Sequence, residues 1–323
     1  MSRVPPAEWA PHKAVWIGFP SHPELWADDL EPAREEVTAF ARTVHADGRG
    51  EQVLLVCADD EAASAARAVA PFAHVVIEAF GDIWLRDTGP IVLGDGSACV
   101  FDFNGWGGKY DLPGDDTIGE RLAAGRGTHV TRSRWVLEGG AIDGDGTGIV
   151  VTTQQCLLNA NRNPDLRRAD IEERLHTDLG FTQVVWLGDG LANDHTDGHV
   201  DNLARFVAPG RVAVPAGADD DPNSRVYQEA AACLRAAGLD VVPVPSPGRV
   251  VRDGDVVPAS YMNFYIGNAA VVVPIYGAAD DAAAVSAFQG IFPDREVVGL
   301  RADHILTGGG SFHCISQQIP AIA

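Results

Sequence analysis

The sequence predicts a mixed α/β fold built from repeated small units, and three observations predict it. Short β-like apolar runs recur along the chain, five stretches with helical spacing lie between them, and no Ser/Gly linker or low-complexity segment intervenes. Five helices in 323 residues is about one per 65, longer than the ~30 residues of a simple strand–helix unit. Each helix therefore comes with its own small mixed sheet. A radial repeat of such units is expected, in one domain spanning residues 1–323, although no literal sequence repeat marks it.

In chain order, the strand-like runs are 14–19, 53–57, 75–79, 149–153, 184–187, 212–215, 241–245 and 270–275. The helical stretches are 31–44, 116–124, 166–179, 224–237 and 280–288, each rich in good helix formers. The chain is 46% hydrophobic, enough for a large core, yet no run of about 18 apolar residues exists to span a membrane. Residues 1–9 lack the apolar stretch of a signal peptide, so a cytoplasmic protein is expected.

A formal charge of −21, with Lys13 and Lys109 the only lysines, repels nucleic acid and anionic membranes and favours a cationic small molecule. The same charge also serves plain solubility. Five dispersed cysteines without a C-x-x-C pair exclude a disulfide framework and a zinc knuckle. Cys57 and Cys99 read as core strand residues, and the surroundings of Cys156 and Cys233 are bland. Cys314 differs.

Four segments carry unusual chemistry. In Gly81-Asp82-Ile83-Trp84-Leu85-Arg86-Asp87-Thr88-Gly89-Pro90, an extended chain puts Asp82, Trp84 and Arg86 on one face and leaves Asp87 at a strand end. Alone, the segment reads more readily as a strand end with an Arg86–Asp87 or Arg86–Asp82 surface pair. In Trp135-Val136-Leu137-Glu138-Gly139-Gly140, a carboxylate follows an apolar run where two glycines let backbone come close. An ordinary turn with a solvated glutamate fits as well. Nearby Asp143-Gly144-Asp145-Gly146 lacks the twelve-residue calcium pattern and reads as a hairpin tip.

The third segment is Asn193-Asp194-His195-Thr196-Asp197-Gly198-His199-Val200-Asp201-Asn202. On a strand, His199 and Asp201 point the same way, which suits a proton-transfer imidazole beside a cation-binding carboxylate. The rival reading, His195 and His199 as zinc ligands on a helix, suffers from Gly198, from β-branched Thr196 and Val200, and from the missing H-E-x-x-H glutamate. No metal is expected there. In the fourth segment, 307–318, three glycines precede Ser311, which caps a short helix with Cys314 in its first turn; exposed amides there would lower the thiol pKa. A small buried residue on an apolar helix face is the plainer alternative. His313, adjacent to Cys314, is expected to point elsewhere, and His199 is the better base.

If these segments converge, the inventory is one cysteine, one histidine and at least three carboxylates. A protease site needs one carboxylate, and further anions oppose its oxyanion. A guanidinium ion, with five planar N–H donors, matches several carboxylates.

The segments Pro6-Ala7-Glu8-Trp9-Ala10-Pro11-His12, Trp84-Leu85-Arg86-Asp87-Thr88-Gly89-Pro90, Phe103-Asn104-Gly105-Trp106-Gly107-Gly108, Leu137-Glu138-Gly139-Gly140, Asn159-Ala160-Asn161-Arg162-Asn163-Pro164, Gly198-His199-Val200-Asp201-Asn202, Ser260-Tyr261-Met262-Asn263-Phe264-Tyr265 and 308–318 together resemble the agmatine deiminase and bacterial peptidyl-arginine deiminase family, in its order and over nearly the whole chain. The resemblance implies a five-bladed pseudo-symmetric α/β propeller with the site in its central channel, a hydrolase without metal or cofactor, and a homodimer. It implies Cys314 as nucleophile, His199 as general acid/base, Asp87 and Asp201 gripping the guanidinium, and Glu138 bordering it. It places Trp84 in the pocket, with Asp82, Trp106 and His195 as further substrate-binding candidates. Agmatine enzymes commonly carry an acidic residue where His195 stands, and Thr196-Asp197-Gly198 replaces a frequent Thr-Asn-Gly. Agmatine is the expected substrate. Another alkylguanidine, peptidyl arginine, amidino transfer and a non-catalytic scaffold are the alternatives, the last disfavoured by the complete Cys–His–carboxylate set.

Overall fold

A computed structural model describes residues 3–252 and 254–322. Met1 and Ser2, which begin the N-terminal segment read above, lie outside the described residues. Five sheets share one plan: a short strand runs antiparallel to a central strand, and a helical crossover leads from the central strand to a parallel outer one.

In the first unit, His12–Gly18 is central. It pairs antiparallel with Ser316–Pro320 and parallel with Gln52–Cys57, which pairs in turn with His74–Ile77. The two ends of the chain thus meet in one sheet. The second unit pairs Ile91–Val92, Ala98–Asp102 and Val130–Val136; the third pairs Ile142–Gly144, Ile149–Thr153 and Gln183–Leu187. The fourth pairs Arg205–Ala208, Arg211–Ala216 and Asp240–Pro245; the fifth pairs Tyr265–Ile266, Ala270–Ile275 and Glu296–Arg301.

The five expected helices occur as Leu30–His45, Ile118–Gly125, Arg168–Leu179, Ser224–Ala236 and Asp281–Ile291. Leu30–His45 shows why. Ala33, Val37, Phe40, Ala41 and Val44 recur at helical spacing and bury one face in the same core as Val53–Cys57. Arg168–Leu179 buries Ile171, Leu175 and Leu179, and stops where Gly180 turns left-handed at φ +76°. A sixth helix longer than one turn, Asp60–Val69, is found among the described residues and is not among the expected five. Its buried face is made of the small residues Ala62, Ala63 and Ala66, and Asp59 caps it by accepting from the Ala62 amide at 2.8 Å. The 145–148 loop joins Ile142–Gly144 to Ile149–Thr153, so the hairpin reading of that aspartate–glycine stretch stands. Cys57 and Cys99 are buried on strands, as their contexts predict.

Candidate active site

Each unit contributes at least one polar side chain from the short segment that leads into its antiparallel strand. Asp87 lies on the one-turn helix Leu85–Thr88 before Ile91–Val92, and Glu138 immediately precedes the 3-10 turn Gly139–Ala141. Asp201 lies on the 3-10 turn Val200–Asn202, Asn263 on Tyr261–Asn263, and Cys314 in the turn before Ser316–Pro320. Short turns aim side chains away from their own sheets, so five separate sheets bring these groups together.

The geometry is tight. Asn263 Nδ2 donates to Cys314 Sγ at 3.0 Å, while its Oδ1 accepts from the Cys314 amide at 3.2 Å. The thiol lies 3.4 Å from Asp201 Oδ2. His199 Nδ1 lies 3.6 Å from Asp87 Oδ1, whose own oxygens accept from the Gly140 amide and the Trp106 indole, both at 2.9 Å. A Cβ on Gly140 would sit 2.6 Å from His199 Nδ1, 2.8 Å from Asp87 Oδ1 and 3.1 Å from Asp201 Oδ2. The two glycines after Glu138 therefore let backbone pass directly beside the acids.

Burial and charge set the protonation. Burial, with Asp201 and Asp87 adding to it, holds the Cys314 thiol well above its usual pKa. Burial works against a charged His199, but Asp87, Cys156 and Glu138 outweigh it and hold the imidazolium well above its ordinary value. Burial raises Asp87, opposed by His199; for Asp201 the contacts with His313 overcome burial and lower it. Glu138 Oε1 accepts from Arg162 Nε at 2.6 Å, while Glu138 Oε2 and Asp201 Oδ1 are buried carboxylate oxygens with no hydrogen-bond partner among the described residues.

An apolar-walled pocket of about 350 Å³ opens onto the thiol, lined by Trp26, Asp82, Trp84, Asp87, Trp106, Tyr110 and His195, with the 307–310 glycine loop. Asp82 accepts from the Trp84 and Trp26 indoles at 2.6 and 3.2 Å, and burial pushes its pKa to about 6. His195 stands at the mouth, exposed, its Nδ1 3.0 Å from the Tyr110 hydroxyl. Asp197 meets Lys109 Nζ at 2.7 Å and Arg162 at 2.8 Å. Its negative charge balances two cations.

Several local expectations are corrected. The 81–90 segment is not an extended strand: Asp87 sits on a helical turn, and Arg86 turns away to Gln318 at 2.7 Å and to Glu8 at 3.4 Å rather than forming a surface pair. His199 caps a 3-10 turn and Asp201 lies within it, so they do not share a strand face. Ser311 caps no helix, because the chain makes one turn and enters the final strand; buried among carboxylates, the thiol is raised and not lowered. Cys156 is not bland, since its thiol lies within 4.8 Å of His199 and Glu138 donor atoms. That trio is the one metal-like grouping among the described residues, and Arg162 on Glu138 opposes a divalent ion there. His195 is not part of it.

Sequence reasoning missed what holds the site. His313 Nδ1 meets Asp201 Oδ2 at 2.8 Å and its Nε2 meets Glu8 Oε2 at 2.9 Å. Arg205, fully buried, pairs with Glu8 and Asp143, both at 2.9 Å. Charged residues inside apolar strand runs, such as Arg205 before Phe206-Val207, were the available signal.

A fold of five like units and a thiol flanked by buried carboxylates define a class: an enzyme that modifies the carbon of a planar cation. Within that class the chain belongs to the Porphyromonas-type peptidyl-arginine deiminase family, whose family model matches residues 4–320. It is 39% identical to an agmatine deiminase of Stutzerimonas stutzeri, over 98% of this chain and 95% of that one. The structure of an agmatine deiminase of Enterococcus faecalis superposes with a TM-score of 0.93 at 32% identity, covering 99% of this chain and 96% of that one. A substrate-bound cysteine-to-serine agmatine deiminase from C. jejuni superposes with a TM-score of 0.90 at 28% identity, with coverages of 99% and 96%. Among the described residues no helix is long and apolar enough to cross a membrane.

Proposed function

We infer that the chain is a C–N hydrolase that deiminates agmatine, taking up water and releasing N-carbamoylputrescine and ammonia. One observation carries the reading. Two buried carboxylates, Asp201 and Asp87, act on a buried thiol at the end of a pocket, Glu138 lies beside His199, and a guanidinium ion supplies the donors that the unpartnered oxygens of Asp201 and Glu138 lack. The full-length likeness to agmatine deiminases supports agmatine as the substrate.

In this reading Asp87, Glu138 and Asp201 hold the guanidinium in attack geometry over Sγ. The Cys314 thiolate adds to the guanidinium carbon, and the C–N bond breaks as protonated His199 gives its proton to departing ammonia. Neutral His199 then deprotonates a water that attacks the thiouronium carbon, and collapse frees Cys314 and the ureido product. Trp84 and Trp106 wall the pocket, and Trp106 also orients Asp87. We read the five units as the blades of a five-bladed propeller in one domain, an arrangement supported by the way all five present a residue to one site.

The test is a panel of agmatine, butylguanidine, arginine and a peptidyl arginine, assayed for ureido product by mass spectrometry. Agmatine should turn over, and Cys314→Ser should abolish turnover without unfolding the protein, because a serine hydroxyl is a far weaker nucleophile at neutral pH. Acid quench of the native enzyme should add the mass of agmatine less ammonia at Cys314 alone. Full activity in the serine variant would sink the covalent mechanism.

A further inference from the structure

A second cavity, of about 60 Å³, shares no lining residue with the pocket. Its walls include Glu8, Arg86, Gly139, His313, Gln317 and Gln318, and partly exposed Pro5 and Pro6 bring it to the surface. It has room for water. Between it and the thiol runs an unbroken series of contacts: Cys314 Sγ to Asp201 Oδ2 at 3.4 Å, Asp201 Oδ2 to His313 Nδ1 at 2.8 Å, and His313 Nε2 to Glu8 Oε2 at 2.9 Å.

We propose that Asp201, His313 and Glu8 form a proton path from the Cys314 thiol to this second cavity, by which the thiol proton leaves when substrate fills the pocket. The path rests on Cys314 being the nucleophile. Three observations argue for it. The thiol is buried beside carboxylates and must shed a proton before attack, whereas an alkylguanidine occupying the pocket closes that side to water. His199 sits against Asp87, Glu138 and Cys156 and holds the proton it gives to ammonia, so it is not free to accept a second. Both His313 nitrogens face carboxylate oxygens, so a proton arriving at one can be matched by release from the other.

The transfers balance. With His313 carrying its proton on Nε2, the S–H bond breaks and a proton passes through Asp201 Oδ2 to Nδ1. The Nε2 proton passes to Glu8 Oε2 and on to water in the cavity. Asp201 and Glu8 end as carboxylates, His313 as its other neutral tautomer, and Cys314 as thiolate; the reverse sequence restores the thiol after product leaves. The charged groups facing the path are Arg205 and Arg86 on Glu8, Asp143 beyond Arg205, and Asp87 and His199 around Asp201.

The experiment follows covalent adduct formation at Cys314 in single turnovers of agmatine, by rapid acid quench and mass spectrometry, in mixtures of light and heavy water. In the native enzyme the rate should depend on deuterium fraction along a bowed curve, because several protons move together. Glu8→Gln keeps the shape and most hydrogen bonds. It should form adduct at least about a hundredfold more slowly, the lower end of the range a proton-transfer group contributes, and its half-saturating agmatine concentration should stay within about threefold. A native rate in folded Glu8→Gln, or a linear deuterium dependence in the native enzyme, overturns the path. The second measurement decides alone if the variant does not fold. Adduct forming at an unchanged rate removes the path and leaves Cys314 chemistry intact, whereas no adduct in the native enzyme removes both.

Discussion

At the scale of single residues, substrate choice turns on His195. It stands exposed at the pocket mouth with its ring on Tyr110. An imidazole lacks the negative charge a carboxylate would set against a distal ammonium, and Lys109, which donates to the His195 carbonyl at 2.7 Å, adds positive charge nearby. Asp29 is the carboxylate remaining at the rim, and it is tied to His304 at 2.6 Å. The overall charge of −21 still draws a dication, but salt screens that field beyond about 8–10 Å. Agmatine should therefore be accepted without strong preference over butylguanidine. His195→Glu should raise the ratio of their kcat/KM values about tenfold, or ~1.4 kcal/mol. Measured in both proteins, an unchanged ratio would show that residue 195 does not meet the substrate tail.

Among the elements, the five short turns that enter the antiparallel strands decide the site, and Gly140 is where they crowd most. Its backbone is not left-handed, so alanine meets no conformational strain there, only the three site residues within 3.1 Å of its Cβ. We expect Gly140→Ala to fold with a near-native melting temperature while kcat falls about a hundredfold, the usual result of displacing reacting groups by an ångström. A variant with native kcat would mean that Asp87 and His199 can shift without consequence. These same turns show what was legible in the sequence. Apolar period and helix formers exposed the central strands and five helices, and the polar or glycine-rich segments exposed Asp87, Glu138, His199, Asp201 and Cys314. The conformation of those segments was not legible. Turns of three or four residues have no period to read, so 81–90 looked extended and Cys314 looked capped. Burial was equally hidden, and with it the sign of the thiol shift, since desolvation depends on partners more than a hundred residues away.

For the molecule as a whole, Arg205 is the residue on which the units converge. It is fully buried, lies 4.8 Å over the Phe264 ring, and donates to Asp143, Glu8 and the carbonyls of Met262 and Phe264. Through Glu8, which also accepts from the Ile266 amide at 2.8 Å, it joins the N-terminal segment to the third, fourth and fifth units. Burial raises the Glu8 pKa, but Arg205, His313 and Arg86 overcome it and leave the carboxyl well below the usual range. A group depressed on folding contributes stability above its unfolded pKa of ~4.3 and loses it as pH falls through the folded value. Arg205→Met removes the strongest of the opposing charges, leaving Asp143 without its cation and Glu8 with Arg86 and His313 alone, at a cost of about 3–5 kcal/mol at pH 7. Asp143, already raised by burial, and Glu8 should then both protonate in the folded variant as acid is added, relieving the unpaired charge. The difference in unfolding free energy between native and Arg205→Met proteins should therefore be largest near neutrality and shrink toward pH 4. Urea titrations at several pH values give that difference directly; a gap that stays constant down to pH 4 would mean that Arg205 acts by packing on Phe264 and not by holding charge.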